Sequence, residues 1–191
     1  MNTVYDTKGY KKALFKGEFD KQVFIQDALK SGASSIMVET RFFPERAMYW
    51  TRMFRAAAEK EGLKLNAIVC DSNLLAEDSE SRETALADLS EWVRIAALSK
   101  IPALKIRITG ISSHSGEEIR NLTSLLGIVV SDAKSYGVKL IISDNAGIHT
   151  TDLLSVLKHL DYSMCRIEAQ PDVQLGKSGG KWIFNAESFL C

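Results

Sequence analysis

The sequence predicts an α/β fold on a parallel sheet, and three observations carry that reading. Short apolar runs alternate with segments of helical apolar spacing, the alternation is regular along the chain, and several of the apolar runs close on polar residues. A strand followed by a helix and then another strand is the pattern of right-handed βαβ crossovers, which join neighbouring parallel strands.

"NTVYDT" near the start is the first, weak strand signal, and "DKQVFIQDALKSGA" reads as a helix ending at Gly32. "SSIMVET", Ser34 to Thr40, is a strand with a polar end. The next segment, "PERAMYWTRMFRAAAEKEG", places Pro44 at a helix start, spaces Trp50, Met53, Phe54 and Ala57 helically, and stops at Gly62. Leu63 to Asn73 is a strand, and its helix carries Leu86, Leu89, Val93 and Ala96 on one face, with Trp92 as packing. Pro102 to Gly110 is another strand, followed by a helix with Ile119, Leu122, Leu126, Val129 and Ala133. "VKLIISDN" leads into a helix with Leu153, Leu157 and Leu160, and Tyr162 to Asp172 is the last strand. The total is about six strands and five helices.

Two architectures fit this order, an open doubly wound sheet and a (β/α) barrel. No G-x-G-x-x-G follows a strand, so the dinucleotide-binding form of the open sheet has no support. The polar strand ends are Glu39, Asp71 with Asn73, Arg107, Asp144 with Asn145, and Glu168. They suit a barrel, whose sites form at the C-terminal ends of its strands. A carboxylate such as Asp144 at the end of a buried strand is costly unless something there uses it.

Composition narrows the function classes. Basic and acidic residues both number 24, so no global charge favours a polyanion, and nucleic acid is not an expected partner. Cys70, Cys165 and Cys191 are too few and too widely spaced for a disulfide framework or a zinc knuckle. With no signal-peptide pattern and no apolar run of about 18 residues, the expected location is the cytoplasm, away from membranes.

Three stretches, "FKGEFDKQVFIQDALKSGASSIMVE", "GLKLNAIVCDSNLLAEDSESRETALADLSEWVRIAALSKIPALKIRITG" and "YGVKLIISDNAGIHTTDLLSVL", resemble in order the first units of xylose isomerase-like TIM barrels, the sugar phosphate isomerases/epimerases. The shared features are a strand ending in V-E, a helix with W-x-x-x-A-A, a strand with K-I-R-x-x-G, and a strand ending in an acid and Asn. The resemblance implies one TIM-barrel-type domain over 1–191. A complete barrel takes about 200 to 250 residues or more, so six of eight units are expected, truncated at the C-terminus.

The resemblance also implies proton transfer next to a carbonyl at a divalent metal, Mn²⁺ or Mg²⁺ foremost and Zn²⁺ as a third choice. Its strand-five ligand position falls on Asp144 and its strand-six position on Glu168, with Asp172 as the rival, and the two carboxylates are expected to serve in catalysis as well as in metal binding. Glu39, Arg107, Asn145 and His149 are the candidates for contact with a sugar or sugar phosphate. Ala146 and Pro171 depart from the family pattern, and the His and Glu expected from strands seven and eight have no counterpart.

Glu39 and Arg107 could equally form a structural ion pair. His114 and His159 fit loop and helix-end roles, and "GKSGG" lacks the frame of a phosphate loop. Two functions stay open: a metal-dependent isomerase or epimerase, and a non-catalytic barrel fragment that binds a ligand or partner. A DNA-repair enzyme of the same superfamily would need more histidine and a basic groove. Open barrel edges would favour homo-oligomers.

Overall fold

Among the described residues, six parallel strands pair in chain order to make one sheet. They are β1 (Val4–Asp6), β2 (Ser35–Glu39), β3 (Lys64–Ser72), β4 (Ala103–Ile108), β5 (Lys139–Ser143) and β6 (Cys165–Glu168). Among the described residues the helices are α1 (Lys21–Lys30), α2 (Met48–Lys60), α3 (Ser79–Leu98) and α4 (Gly116–Tyr136). The computed structural model describes residues 4–6, 20–43, 48–109, 115–143, 155–156, 158–161 and 163–168.

A doubly wound sheet reverses its strand order at a switch point, whereas this order never reverses. Each crossover therefore advances the same way, which is the winding of a barrel. Among the described residues no pairing joins β6 to β1, so the described sheet is an open arc of six strands.

The two faces of the arc differ in chemistry. Ile36, Val38, Ile68, Cys70, Leu104, Ile106, Leu140 and Ile142 join the helix residues Phe24, Phe54, Leu89, Val93, Leu122 and Leu126 in one core cluster. Burying one such aliphatic side chain is worth roughly 1.5–3 kcal/mol. The alternate positions face the other way, into the concave side. Ala67, Val69 and Ala103 are buried there, apart from the helix-facing cluster, and Glu39, Asp71, Lys105 and Arg107 share that side by register.

A register shift between β2 and β3 sets this pattern. Ile36 pairs with Leu65, but Met37 pairs with Ala67, so β3 carries one extra residue, a β-bulge. Because strand side chains alternate, the extra residue inverts the facing of all that follows. Leu65 faces the helices, and so do Ile68 and Cys70, three and five residues later. Without the bulge, strict alternation from Leu65 would aim Asp71 into the helix core.

The helices begin and end where the sequence supplies the chemistry. Asp20 accepts from the backbone N–H of Gln22 and Val23, Asp78 accepts from Ser81, and Ser115 with Glu118 forms a capping box. Asp78 starts α3 at Ser79.

Gly32, Gly62 and Gly137 end α1, α2 and α4 with φ of 74°, 81° and 68°. Each precedes a residue whose N–H bonds back to the last helical turn: Ala33 to Ala28, Leu63 to Ala58, and Val138 to Ala133. α3 makes the same return bond, Ile101 N–H to Ala96 O at 2.8 Å, but places Lys100 in the left-handed position at φ 55°.

Some expectations shift. Thr51, Phe54 and Ala58 are the buried face of α2, while Trp50 and Met53 are exposed. Trp50 instead meets the ring of Tyr49 and the ammonium of Lys21, 5.9 Å from the ring centre. Pro44, Leu153 and Leu157 lie outside the described residues, whereas Val156 and Leu160 are buried. The last strand is shorter at its start than expected, beginning at Cys165, and residues 169–172 fall outside the description. No helix among the described residues is long and apolar enough to cross a membrane.

The left-handed conformation costs a non-glycine residue roughly 1–2 kcal/mol, and glycine's greater chain entropy offsets part of any gain. Lys100→Gly is expected to raise stability by about 0.5–1 kcal/mol in urea unfolding. A loss of stability would contradict this account of the α3 terminus.

Candidate functional site

The polar cluster forms where β2, β3 and β4 end. In β3 and β4 the concave-facing positions are Ala67, Val69 and Asp71, then Ala103, Lys105 and Arg107, and the apolar residues come first along the strands. Asp71 pairs with Arg107, Arg107 with Ser143, and Ser143 with Glu168. One register row thus runs across four strands at their C-terminal ends. Glu39 ends β2 one pair behind that row, beside Val69.

Arg107 connects three strands. Its Nε donates to Asp71 Oδ1 at 2.6 Å and its Nη2 to Asp71 Oδ2 at 3.1 Å, a two-point fork. Its Nη1 donates to Glu39 Oε1 at 2.9 Å. Glu39 Oε2 lies against the guanidinium of Arg41, in the 3-10 turn Thr40–Phe42 that follows β2.

Exposure grades these groups: the Glu39 side chain is 3% exposed, Arg107 15%, Arg41 35% and Asp71 46%. Burial pulls the Arg107 pKa down, but the bonds to Glu39 and Asp71 outweigh it and leave the guanidinium above its usual value. The group stays charged at any physiological pH.

The structure brings together Glu39 and Arg107, two of the residues expected at a site. It places Glu168 at the same row by backbone register. Asp144, Asn145 and His149 lie outside the described residues. Asp71 and Arg41 complete the network and were missed as site residues. The available signal for Asp71 was a carboxylate closing an apolar strand, but its side of the sheet depends on the bulge.

A cleft of about 730 Å³ adjoins the network, lined by Thr40, Arg41, Asp71, Ser72 and Asn73 together with Asp78, Asp88 and Trp92 from the side of α3. Cys70 also lines it, and burial pushes its thiol pKa far up.

No group of three or more His, Cys, Asp and Glu among the described residues is arranged to hold a metal. Of the expected ligand pair, Glu168 pairs with Ser143 at the end of β6, and Asp144 lies outside the described residues. Two carboxylates are the donor type that hard divalent cations take.

No protein-family model and no curated protein matches the chain. Solved structures do match. A xylose isomerase domain protein from Planctomyces limnophilus aligns with TM-score 0.63 and 15% identity, over 77% of this chain and 58% of its own. D-psicose 3-epimerase with D-tagatose from Clostridium cellulolyticum H10 gives 0.69 and 13%, over 88% and 63%. A probable 3-DHS dehydratase from Bacillus anthracis gives 0.68 and 11%, over 88% and 62%.

The chain therefore spans 58% to 63% of the length of these three structures. The resemblance read from the sequence holds at the level of fold, which is that of the xylose isomerase-like TIM barrels.

Removing one partner of a buried ion pair strands the other charge and costs about 3–5 kcal/mol, whereas an exposed pair is worth about 1 kcal/mol or less. Glu39→Ala is therefore expected to cost about 3 kcal/mol or more in urea unfolding, and Asp71→Ala about 1 kcal/mol. Equal costs would mean that the two carboxylates do not differ as their burial implies.

Proposed function

We propose that the chain is a sugar or sugar-phosphate isomerase/epimerase of the xylose isomerase-like kind, acting by proton transfer next to a carbonyl. The observation that supports the reading best is the Glu39–Arg107–Asp71 network on the concave side, at the strand ends where barrel enzymes bind substrate. The xylose isomerase domain protein and the D-psicose 3-epimerase among the structural matches favour the same class.

In this reading Asp144 and Glu168 hold a divalent cation, Mn²⁺ or Mg²⁺ before Zn²⁺. Such a cation supplies positive charge that polarises a substrate carbonyl. The proton beside that carbonyl is taken by one of these two carboxylates and returned to the neighbouring carbon or to the opposite face. Glu39 is unsuited to that task, because both its oxygens face guanidiniums and protonation would break a buried ion pair. Its role is to fix the plane of Arg107, which with Asn145 and His149 contacts substrate hydroxyls or a phosphate. The reading treats 1–191 as one barrel domain, in the cytoplasm in keeping with the free thiols of Cys70 and Cys165, and forming a homo-oligomer.

One observation favours the alternative, a non-catalytic barrel that binds a ligand or partner: the described charges at the strand ends satisfy one another. Mn²⁺ calorimetry on the full chain and on Asp144→Ala, with the oligomeric state fixed by light scattering, separates the two. Stoichiometric binding that Asp144→Ala abolishes is the expected result. No binding at millimolar Mn²⁺ would remove the metal-dependent reading and leave the binding scaffold.

A further inference from the structure

Arg107 is held by two carboxylates of unequal freedom. Glu39 is almost fully buried and is engaged on both oxygens, by Arg107 on one side and Arg41 on the other. Asp71 is nearly half exposed, yet it occupies the Nε–Nη2 edge of the guanidinium, the flat edge that binds carboxylates and phosphates through two parallel hydrogen bonds. The better recognition edge is thus filled by the more exposed acid.

We propose that Asp71 is a built-in stand-in for an oxyanion of the substrate. A carboxylate or phosphate monoester displaces it and takes the Nε–Nη2 edge, while Glu39 keeps Nη1 and holds the guanidinium in place. This rests on the functional reading only in making the ligand that site's substrate.

Charge supports the exchange. With Asp71 in place the two acids cancel Arg41 and Arg107. With Asp71 turned away, Glu39 alone faces two guanidiniums, and one net positive charge awaits an anion. The Asp71 side chain is 46% exposed, so its displaced carboxylate turns into water. An uncharged sugar has no group that replaces a carboxylate on this edge, which assigns the site to phosphorylated sugars or sugar acids.

The test is calorimetry on the metal-free full chain with inorganic phosphate and, separately, glycolate, and with glucose as the uncharged control. At least one anion is expected to bind, and glucose is not. Asp71→Asn keeps the size of the side chain but removes the competing charge, and should tighten anion binding about five- to tenfold. Arg107→Lys keeps the charge but loses the fork, and should weaken binding at least about tenfold.

Preference for phosphate would point to phosphate esters and preference for glycolate to sugar acids. Anion binding that is absent in both the parent protein and Asp71→Asn, or that Asp71→Asn leaves unchanged or weaker, overturns the proposal. Because Asp71 is exposed, that variant decides the matter even where Arg107→Lys fails to fold. Mn²⁺ binding without anion binding would leave the functional reading standing and remove only the exchange; anion binding without Mn²⁺ binding would do the reverse.

Discussion

The open end of this sheet depends on one largely buried guanidinium. Arg107 reaches acids on the two strands before its own, so β2, β3 and β4 are tied by side chains as well as by their ladders. Two carboxylates on the concave side would otherwise repel each other and lose hydration, and a lone arginine there would carry an uncompensated charge. With Arg41 closing the set, every described charge in the network faces an opposite one. Polar strand ends can then sit directly above the apolar layer of Ala67, Val69 and Ala103.

Much of the fold was legible because its signals are local. Gly32 and Gly62 mark helix ends through a backbone conformation other residues avoid, and the 3.6-residue spacing in α3 and α4 names their buried faces directly. Alternation of strands and helices left the open sheet and the barrel both standing until the strand order chose between them. The face of α2 was misjudged because Trp50 and Met53 are apolar yet lie off the stripe set by Thr51, Phe54 and Ala58.

The candidate site was only half legible, for a reason of register. Glu39 and Arg107 could be paired from sequence because both close strands that point into one barrel mouth. Asp71 could not, since a single inserted residue near Asn66 decides which face the rest of β3 presents. Alternation counted from Leu65 gives the wrong side. The bulge delivers Asp71 to Arg107 and, by the same inversion, Cys70 to the helix core. Asp144, Asn145 and His149 follow β5 in the chain outside the described residues, and the case for them rests on resemblance alone.

The central claim is that Glu39 and Arg107 form a coupled buried pair that organises the strand ends. A double-mutant cycle of Glu39→Gln and Arg107→Lys, read by urea unfolding, measures that coupling directly. The account predicts an interaction energy of about 1.5 kcal/mol or more, beyond what exposed pairs give. Additivity within about 0.5 kcal/mol would contradict it, because the two side chains would then act independently and Arg107 could not be the tie between these strands.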